Sequence, residues 1–498
     1  MGYTGYGQAG ANHSKKSFKG FNARSRSPSE DIDNNNYTLR QRARILSISA
    51  PFATSILKTY RTNTIGTGLI CKPKINGEIL GLTPEQTEQL QETARREFYL
   101  WANDKRLCDA TGVNDFNDMQ QLAFLSYLTS GDVFALKKFK DDEKRLYSTC
   151  WHIIEADRVA TPVTNKSTDW RIQTKGKAAN GNTIYDGVEI DKDGAVVAYY
   201  ICNQYPDSPV ADLSLKFERV EAYGAKSGLP NVLQVMATER PEQYRGVSIL
   251  APVIEPILQM RRYTDAELTA AIIGACFTTW ITKDDPQNDP LGRPQADEPP
   301  ASSNPDDYQI TPGVVNVLKT GESVSFGDPK HPSGGFSQFV EKIVQMMGAG
   351  VELPGELVAK MFNSSYSASR AAFLEAQKAF KMQRKWFAAD FTQPIYEAFL
   401  AEAVARGRVN MPGFFDNEAV RREYCAAEWI GPAMSQIDPT KEIAAMKDAV
   451  AAGFKTRTQA TLELSGADFS LNVEELKREN AALLDATQTN NNQEGLNE

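Results

Sequence analysis

Residues 239–276 read ERPEQYRGVSILAPVIEPILQMRRYTDAELTAAIIGAC, and the patterning of the chain changes across them. Ser248 stands as a cap ahead of Leu250, Val253, Ile254, Ile257, Leu258, Leu268, Ile272, Ile273 and Cys276, spaced as in a helix and, after Asp265, apolar almost all the way round. A helix of that kind is expected to be buried by neighbours. Its longest uncharged stretch, Leu268 to Thr282, has 15 residues, short of the ~18–20 a membrane-spanning helix requires.

Upstream, helix and strand signals alternate. From Leu39, the positions Ile45, Ile48, Phe52, Ile56 and Tyr60 predict one apolar helical face, interrupted at Pro51 and ending near Gly66 and Gly68. Thr83, Pro84 and Gln86 form a capping-box start for a helix over 84–103 lined by Leu90, Ala94, Phe98 and Trp101. Asp115 and Gly131 bound a further helix, Phe116 to Ser130. The segments Val133–Lys140, Leu146–Ile154, Gly187–Ile190 and Ala195–Cys202 are rich in β-formers, and the last two flank the turn DKDG, a hairpin signal.

Downstream, Lys283 to Asp307 carries six prolines and seven acidic residues against two basic ones, the composition of an exposed connector. A strand is expected at Gly313–Leu318 and a helix at Ser337–Met347. Gly348 to Ser369, with Gly350, Pro354, Gly355 and the polar run Asn363, Ser364, Ser365, reads as a loop holding one short helix. A long helix follows from Ala368 to Ala405, tolerating Pro394, and then smaller helices near Thr440–Ala452 and Asp468–Leu484. Residues 1–37, without apolar periodicity, are expected to form a disordered basic arm, and DATQTNNNQEGLNE at 485–498 a disordered tail. No internal repeat is present.

The 498 residues are 41% hydrophobic and 24% charged, a globular composition. Net charge is -8, which argues against a protein that coats nucleic acid with its whole surface. The basic residues concentrate at the start: residues 1–50 hold eight Lys and Arg against three acids. The N-terminus has no signal-peptide pattern, and a location inside the producing cell is expected. Six scattered cysteines without a CxxC pair read as free thiols.

Catalytic patterns are missing. There is no GxxxxGK[ST] string, GTG at 66–68 lacks the third glycine of a dinucleotide fingerprint, and DKDG at 191–194 lacks the flanking ligand positions of a calcium loop. Three histidines, His13, His152 and His331, give little material for a triad or metal cluster, and no GxSxG elbow occurs. Neither a cofactor nor a metal is expected, and the prior for a structural role rises accordingly.

Several strings together resemble the lambda-type family of tailed-phage portal proteins, the head–tail connectors: RQRARILSISAPFATSILKTYRTNTIGTGL, IEADRVATP (154–162), YDGVEIDKDGAVVAYYI (185–201), the block at 239, SSYSASRAAFLEAQKAF (from Ser364) and IDPTKEIAAMKDAVAAGFKTRTQATLELSGAD (from Ile437). They span nearly the whole chain in order. The resemblance implies an α+β portal fold: a mixed α/β wing (38–248), a helical stem (249–282), a small α/β clip (283–330) with the acidic connector, and a second stem helix (331–349). A tunnel loop (350–367) and a long helix with helical crown (368–484) complete it.

It implies a non-catalytic ring, typically of twelve subunits, at one capsid vertex of the virion, assembled in the host cytoplasm. Double-stranded DNA would pass along its channel. The terminase large subunit, neck and head-completion proteins, and the major capsid and scaffold proteins would be its partners, with no membrane involved. Carried onto this chain, Lys360, Asn363, Ser364 and Ser365 would approach DNA and make weak, sequence-independent phosphate contacts, unless they are ordinary exposed loop residues. Asp284, Asp285, Asp306 and Asp307 would face clip partners, and Arg240 and Arg245 are candidates for subunit contacts or for pairing within the chain. Lys381, Arg384 and Lys385 would face the channel, a neighbour or solvent. The alternatives are a magnesium-dependent DNA-processing enzyme using Asp306 or Asp307, and a minor capsid or neck component.

Overall fold

Local signals set the first helices. A computed structural model describes residues 6, 9–12, 14–21, 24–162, 174–206, 215–275, 279–283, 322–326, 335–433, 439–467 and 469–494. Helical order begins before the expected Tyr37: α1 (Pro28–Asp31) starts where Glu30 accepts a hydrogen bond from the Ser27 amide at 3.0 Å, and α2 (Asp33–Ser49) follows. Pro51 cannot continue an i→i−4 ladder but is suited to a first turn, so the chain breaks at Ala50 and restarts as α3 (Pro51–Thr64). The expected apolar face of α2 is not its buried one. Ile45 and Ile48 are 64% and 87% exposed, while Asp33, Asn36, Arg40, Ala43 and Leu46 point inward.

After Gly66 and Gly68, β1 (Ile70–Pro73) and the one-turn α4 (Gly77–Leu80) lead to α5 (Pro84–Ala102), opened by the Thr83/Gln86 capping box. The turn α6 (Lys105–Cys108) precedes α7 (Phe116–Ser130), capped by Asp115 and stopped by Gly131 at φ +92°. Helices α5 and α7 follow the sequence expectation to within a residue. Strands β2 (Asp132–Phe139) and β3 (Thr149–Glu155) pair antiparallel from Val133↔Glu155 to Phe139↔Thr149. A five-stranded antiparallel sheet follows in simple order: β4 (Lys175–Lys177), β5 (Thr183–Tyr185), β6 (Val188–Ile190), β7 (Val196–Cys202) and β8 (Phe217–Glu221). Strand β9 (Val232–Met236) then returns to the other edge of β2. The DKDG hairpin links β6 and β7 as expected, and a second tight turn at Asp186–Gly187, both at positive φ, links β5 and β6.

One 3-10 turn, Ala251–Val253, opens into α8 (Ile254–Ala275). The helix does not reach Thr282: residues 279–283 are strand β10 (Thr279–Lys283), paired antiparallel with β11 (Glu322–Phe326). The β-branched and aromatic run Thr279–Trp280–Ile281–Thr282 favours a pleated partner over a helix. The expected strand at 313–318 and the connector acids Asp284, Asp285, Asp306 and Asp307 lie outside the described residues. Helix α9 (Phe336–Gly350) and the short α10 (Gly355–Ala359) precede α11 (Tyr366–Phe387). The latter passes through a π turn at Ala388–Thr392 into α12 (Gln393–Ala405), and the widened turn accommodates the missing amide of Pro394. The chain closes with α13 (Glu418–Cys425), β12 (Ala427–Ile430), which pairs with β1, α14 (Pro439–Ala451), α15 (Arg457–Ser465) and α16 (Phe469–Glu494). Helix therefore continues into the segment expected as a disordered tail.

The described residues divide into two units. One is 1–254 with 345–498, and the other is 255–344. The larger unit has an aromatic centre: Phe98 lies 5.2–5.5 Å, ring to ring, from Phe116, Tyr396 and Phe399, mostly edge to face. Buried beside it, Trp101 donates its indole N–H to the Thr149 carbonyl at 2.9 Å. A second cluster, including Phe134, Ile154, Val188, Tyr199 and Ile201, joins the two sheets. In the smaller unit, Tyr263 of α8 stacks on Phe336 at 5.5 Å and meets Phe339 edge-on at 4.9 Å. Leu268 and Ile272 of α8, expected to be buried, are 63% and 57% exposed. Five cysteines, Cys71, Cys108, Cys150, Cys202 and Cys425, are free and buried.

Candidate functional site

The loop between α10 and α11 is built by local chemistry at both ends. After α9 the chain reverses tightly: Val351 and Leu353 donate to the Gly348 carbonyl, and a Cβ on Gly348 would lie 2.3 Å from the Leu353 oxygen. The Tyr60 hydroxyl fixes this reversal by donating to the Val351 carbonyl at 2.6 Å. Lys360, at φ +54°, ends α10 in the left-handed region and turns the chain outward. Ser365 caps α11, its hydroxyl accepting from the Ala368 amide at 3.4 Å.

All residues from 360 to 368 are exposed. The four loop residues expected to approach DNA, Lys360, Asn363, Ser364 and Ser365, therefore share one projecting segment, together with the exposed apolar Met361 and Phe362. The segment offers one cation, one carboxamide and two hydroxyls, a set suited to weak contacts with phosphate oxygens. Along α11, Lys381 and Lys385 are exposed, but Arg384 is not a free cation: it donates to the Thr64 and Asn63 carbonyls at 2.9 and 3.0 Å.

Of the two readings open for Arg245, pairing within the chain is the one seen. The side chain is fully buried in its own chain. Its Nε and Nη2 grip both Asp132 oxygens at 2.6 and 3.2 Å, Nη1 reaches the Asp186 carboxylate at 2.8 Å, and carbonyls of Val159 and Ala156 accept at 2.9 Å. Arg240, partly exposed, pairs within the chain with Asp31 at 2.8 Å and donates to the Arg26 carbonyl.

The Arg245 cluster extends further than the sequence reading anticipated. Arg40 lies 3.3–3.7 Å from Asp132, Asp157 and Asp186, and Arg44 pairs with Asp157 and Glu155. The signal was the 33–36–40–43–46 spacing on α2, a helical face carrying polar groups. Burial alone would raise the Asp132 pKa, but Arg245 and Arg40 outweigh it and hold the carboxyl below its usual range. Asp33 goes the other way. Burial, reinforced by the Asp186 charge, pushes it up to about 7 against the opposing pull of Arg245 and Arg40.

That shift predicts a pH profile. The fold holds the Asp33 proton more tightly than the unfolded chain does, so its contribution is fully present below pH ~4 and is lost as pH rises through about 7. In Asp33→Asn the side chain stays neutral throughout. The variant should melt above the parent at pH 8, and the difference should close towards pH 4 in thermal melts across that range. An offset of equal size at both ends would contradict this assignment.

Among the described residues no group of three His, Cys, Asp or Glu could hold a metal ion, and no helix is long and apolar enough to cross a membrane. His152 is half-buried in β3.

A family model described as "Phage portal protein, lambda family" matches residues 14–384. A curated protein named "Probable portal protein", from Halomonas phage phiHAP-1, is 24% identical over 430 residues, covering 86% of this chain and 76% of that one. Among solved structures, a chain from the neck of a native gene transfer agent particle computed with C12 symmetry aligns at 14% identity and a TM-score of 0.42, covering 86% of this chain and 93% of that chain. A chain from the neck of an empty particle computed with C6 symmetry aligns at 12% identity and a TM-score of 0.44, with the same coverage.

Proposed function

The chain belongs to the lambda family of phage portal proteins, and from that premise we propose that it works as a closed ring of about twelve copies at one capsid vertex. The ring is the conduit for double-stranded DNA during packaging and ejection. In this reading the wing is residues 38–248, α8 and α9 belong to the stem, and the connector and β-pair belong to the clip. The crown lies beyond α11.

The loop residues Lys360, Asn363, Ser364 and Ser365 narrow the channel. A conduit must let DNA slide, and each neutralised phosphate adds a salt-dependent increment of binding. One lysine per copy, among neutral polar groups and in a chain of net charge -8, suits passage better than capture. Asp284, Asp285, Asp306 and Asp307 present charge to the terminase large subunit and later to neck proteins, while the capsid and scaffold proteins surround the ring. The pumping motor is the terminase, and this chain performs no catalysis.

The observation that carries the ring reading is the uncovered apolar face of α8, where Leu268 and Ile272 are more than half exposed in a single chain. Isolated exposed apolar residues are ordinary, but a helix expected to be apolar on nearly every side needs a cover, and adjacent copies supply it. Leu268→Glu with Ile272→Glu should therefore convert the assembled species into single chains on native mass measurement while leaving the thermal midpoint of the chain nearly unchanged. An unchanged assembly in the double variant would remove this face from the ring contacts.

A further inference from the structure

A cavity of about 510 Å³ lies in the larger unit, between the β7–β9 region and the π turn with α12 and α13. The volume falls within the range of small-ligand sites. On one side stand Tyr199 and the exposed Tyr223, and on the other Asp390, Glu397, Glu418 and Arg421.

Most of the charges there are already satisfied. Glu418 pairs with Arg422 at 2.7 Å, Arg421 donates to the Ser227 carbonyl at 3.2 Å, and Glu397 accepts from the Gln393 amide at 3.0 Å. Asp390 is different. It sits in the π turn and lines the cavity, and its half-buried carboxyl has no hydrogen bond or ion pair among the described residues. Burial raises its carboxyl to about 6. A carboxylate removed from water without a compensating donor is costly, and a cation brought to it recovers that cost.

The form of the cation follows from the surroundings. The described residues offer no set of three ligands for a metal ion, whereas a planar guanidinium fits a carboxylate edge through paired N–H donors and lies favourably against a tyrosine face. We propose that this cavity receives the guanidinium of an arginine side chain presented by another polypeptide, with Asp390 as its charge partner and the tyrosines as its wall. It is a docking point on the portal protein separate from the loop at 360–365, and it does not depend on the ring reading.

The test uses the full chain and calorimetric titration with Nα-acetyl-arginine methylamide, with the citrulline analogue as a neutral isostere. The expected result is saturable binding in the millimolar range that weakens at least tenfold for citrulline and at least tenfold in Asp390→Asn. That substitution removes a desolvated charge and so should raise the thermal midpoint at pH 7.5, showing that the variant is folded. Arg421→Gln separates the proposal from a general charge effect: binding should persist or tighten, because a cation lining the same cavity has been removed. Equal binding of citrulline, unchanged affinity in Asp390→Asn, loss of binding in Arg421→Gln, or no saturable binding of the arginine probe would each overturn the proposal.

Discussion

Replacing Arg245 with methionine should lower the unfolding free energy by about 3–5 kcal/mol, the usual cost of breaking a buried ion pair by removing one partner. The methionine fills much of the volume but supplies none of the donors. Asp132, fully buried, would lose both of its contacts to the guanidinium and keep Arg40 at 3.7 Å, the Gly246 amide at 3.2 Å and the neutral Gln234 side-chain amide at 3.3 Å. The carbonyls of Val159 and Ala156 would lose a donor as well.

The effect is best measured as a shift in denaturant midpoint at constant slope. Adding Asp132→Asn to the methionine variant should recover part of the loss, since a neutral amide costs less to leave without a cation, and the coupling should fall within ~0.5–3 kcal/mol. A methionine variant within about 1 kcal/mol of the parent would mean that Arg245 does not organise this cluster.

The neighbouring glycine gives the second large effect. A Cβ on Gly246 would stand 1.9 Å from the carbonyl oxygen of Gly131, a backbone atom that cannot move aside as a side-chain tip can. Gly131 is itself the stop of α7 at φ +92°, so the two glycines let the end of a helix and the approach to α8 pass backbone against backbone. Gly246→Ala must separate them. That would strain the Gly246 amide's bond to Asp132 and the Asn36 bond to the Gly246 carbonyl, 2.8 Å long.

Overpacking of this kind costs about 3 kcal/mol when lost hydrogen bonds are added. Gly181→Ala is the control: Gly181 has φ +87°, but an added Cβ would meet nothing within 4 Å, so it should lose only the ~1–2 kcal/mol of a left-handed alanine. Thermal melts that rank the two the other way round would deny the close approach.

Both effects fall in the QYRG portion of the block that begins at Glu239, and they give that string a physical reading. Its arginine fastens three segments through Asp132, Asp186 and the carbonyls of Ala156 and Val159, and its glycine admits the backbone at the end of α7. The block was legible as a marker of the fold, but its role was not. An arginine in an exposed-looking loop signals pairing without naming the partner, and Asp132, Asp157 and Asp186 lie far from it in sequence.

The same reason explains the misread face of α2. Helical periodicity identified the helix, yet two three-to-four-residue series run along it, one through Ile45 and Ile48 and one through Asp33, Asn36, Arg40, Ala43 and Leu46. Hydrophobicity favoured the first series. The second is buried because carboxylates from β2, the 156–158 turn and the β5–β6 turn are there to meet Arg40. A pattern within one segment cannot reveal partners supplied by others.

Elements whose ends are set locally were read more closely. Thr83 with Gln86, and Asp115 with Gly131, delimit α5 and α7 through contacts of a few residues. The loop at 360–365 was legible for the same reason, since Pro354, Gly355 and the polar run before Ser365 exclude a continuous helix. The strand at 279–283 was not, because an apolar run following a helix reads equally as more helix until its pairing partner at 322–326 is known.

The central claim is that this chain closes into a ring around a channel. Native mass measurement of the purified protein, with class-averaged electron micrographs of the same peak, tests it most directly. The account predicts a ring of about twelve 55.1 kDa chains, roughly 660 kDa, with an axial hole wide enough for duplex DNA. A compact monomer or dimer that stays unassembled at high concentration would contradict it.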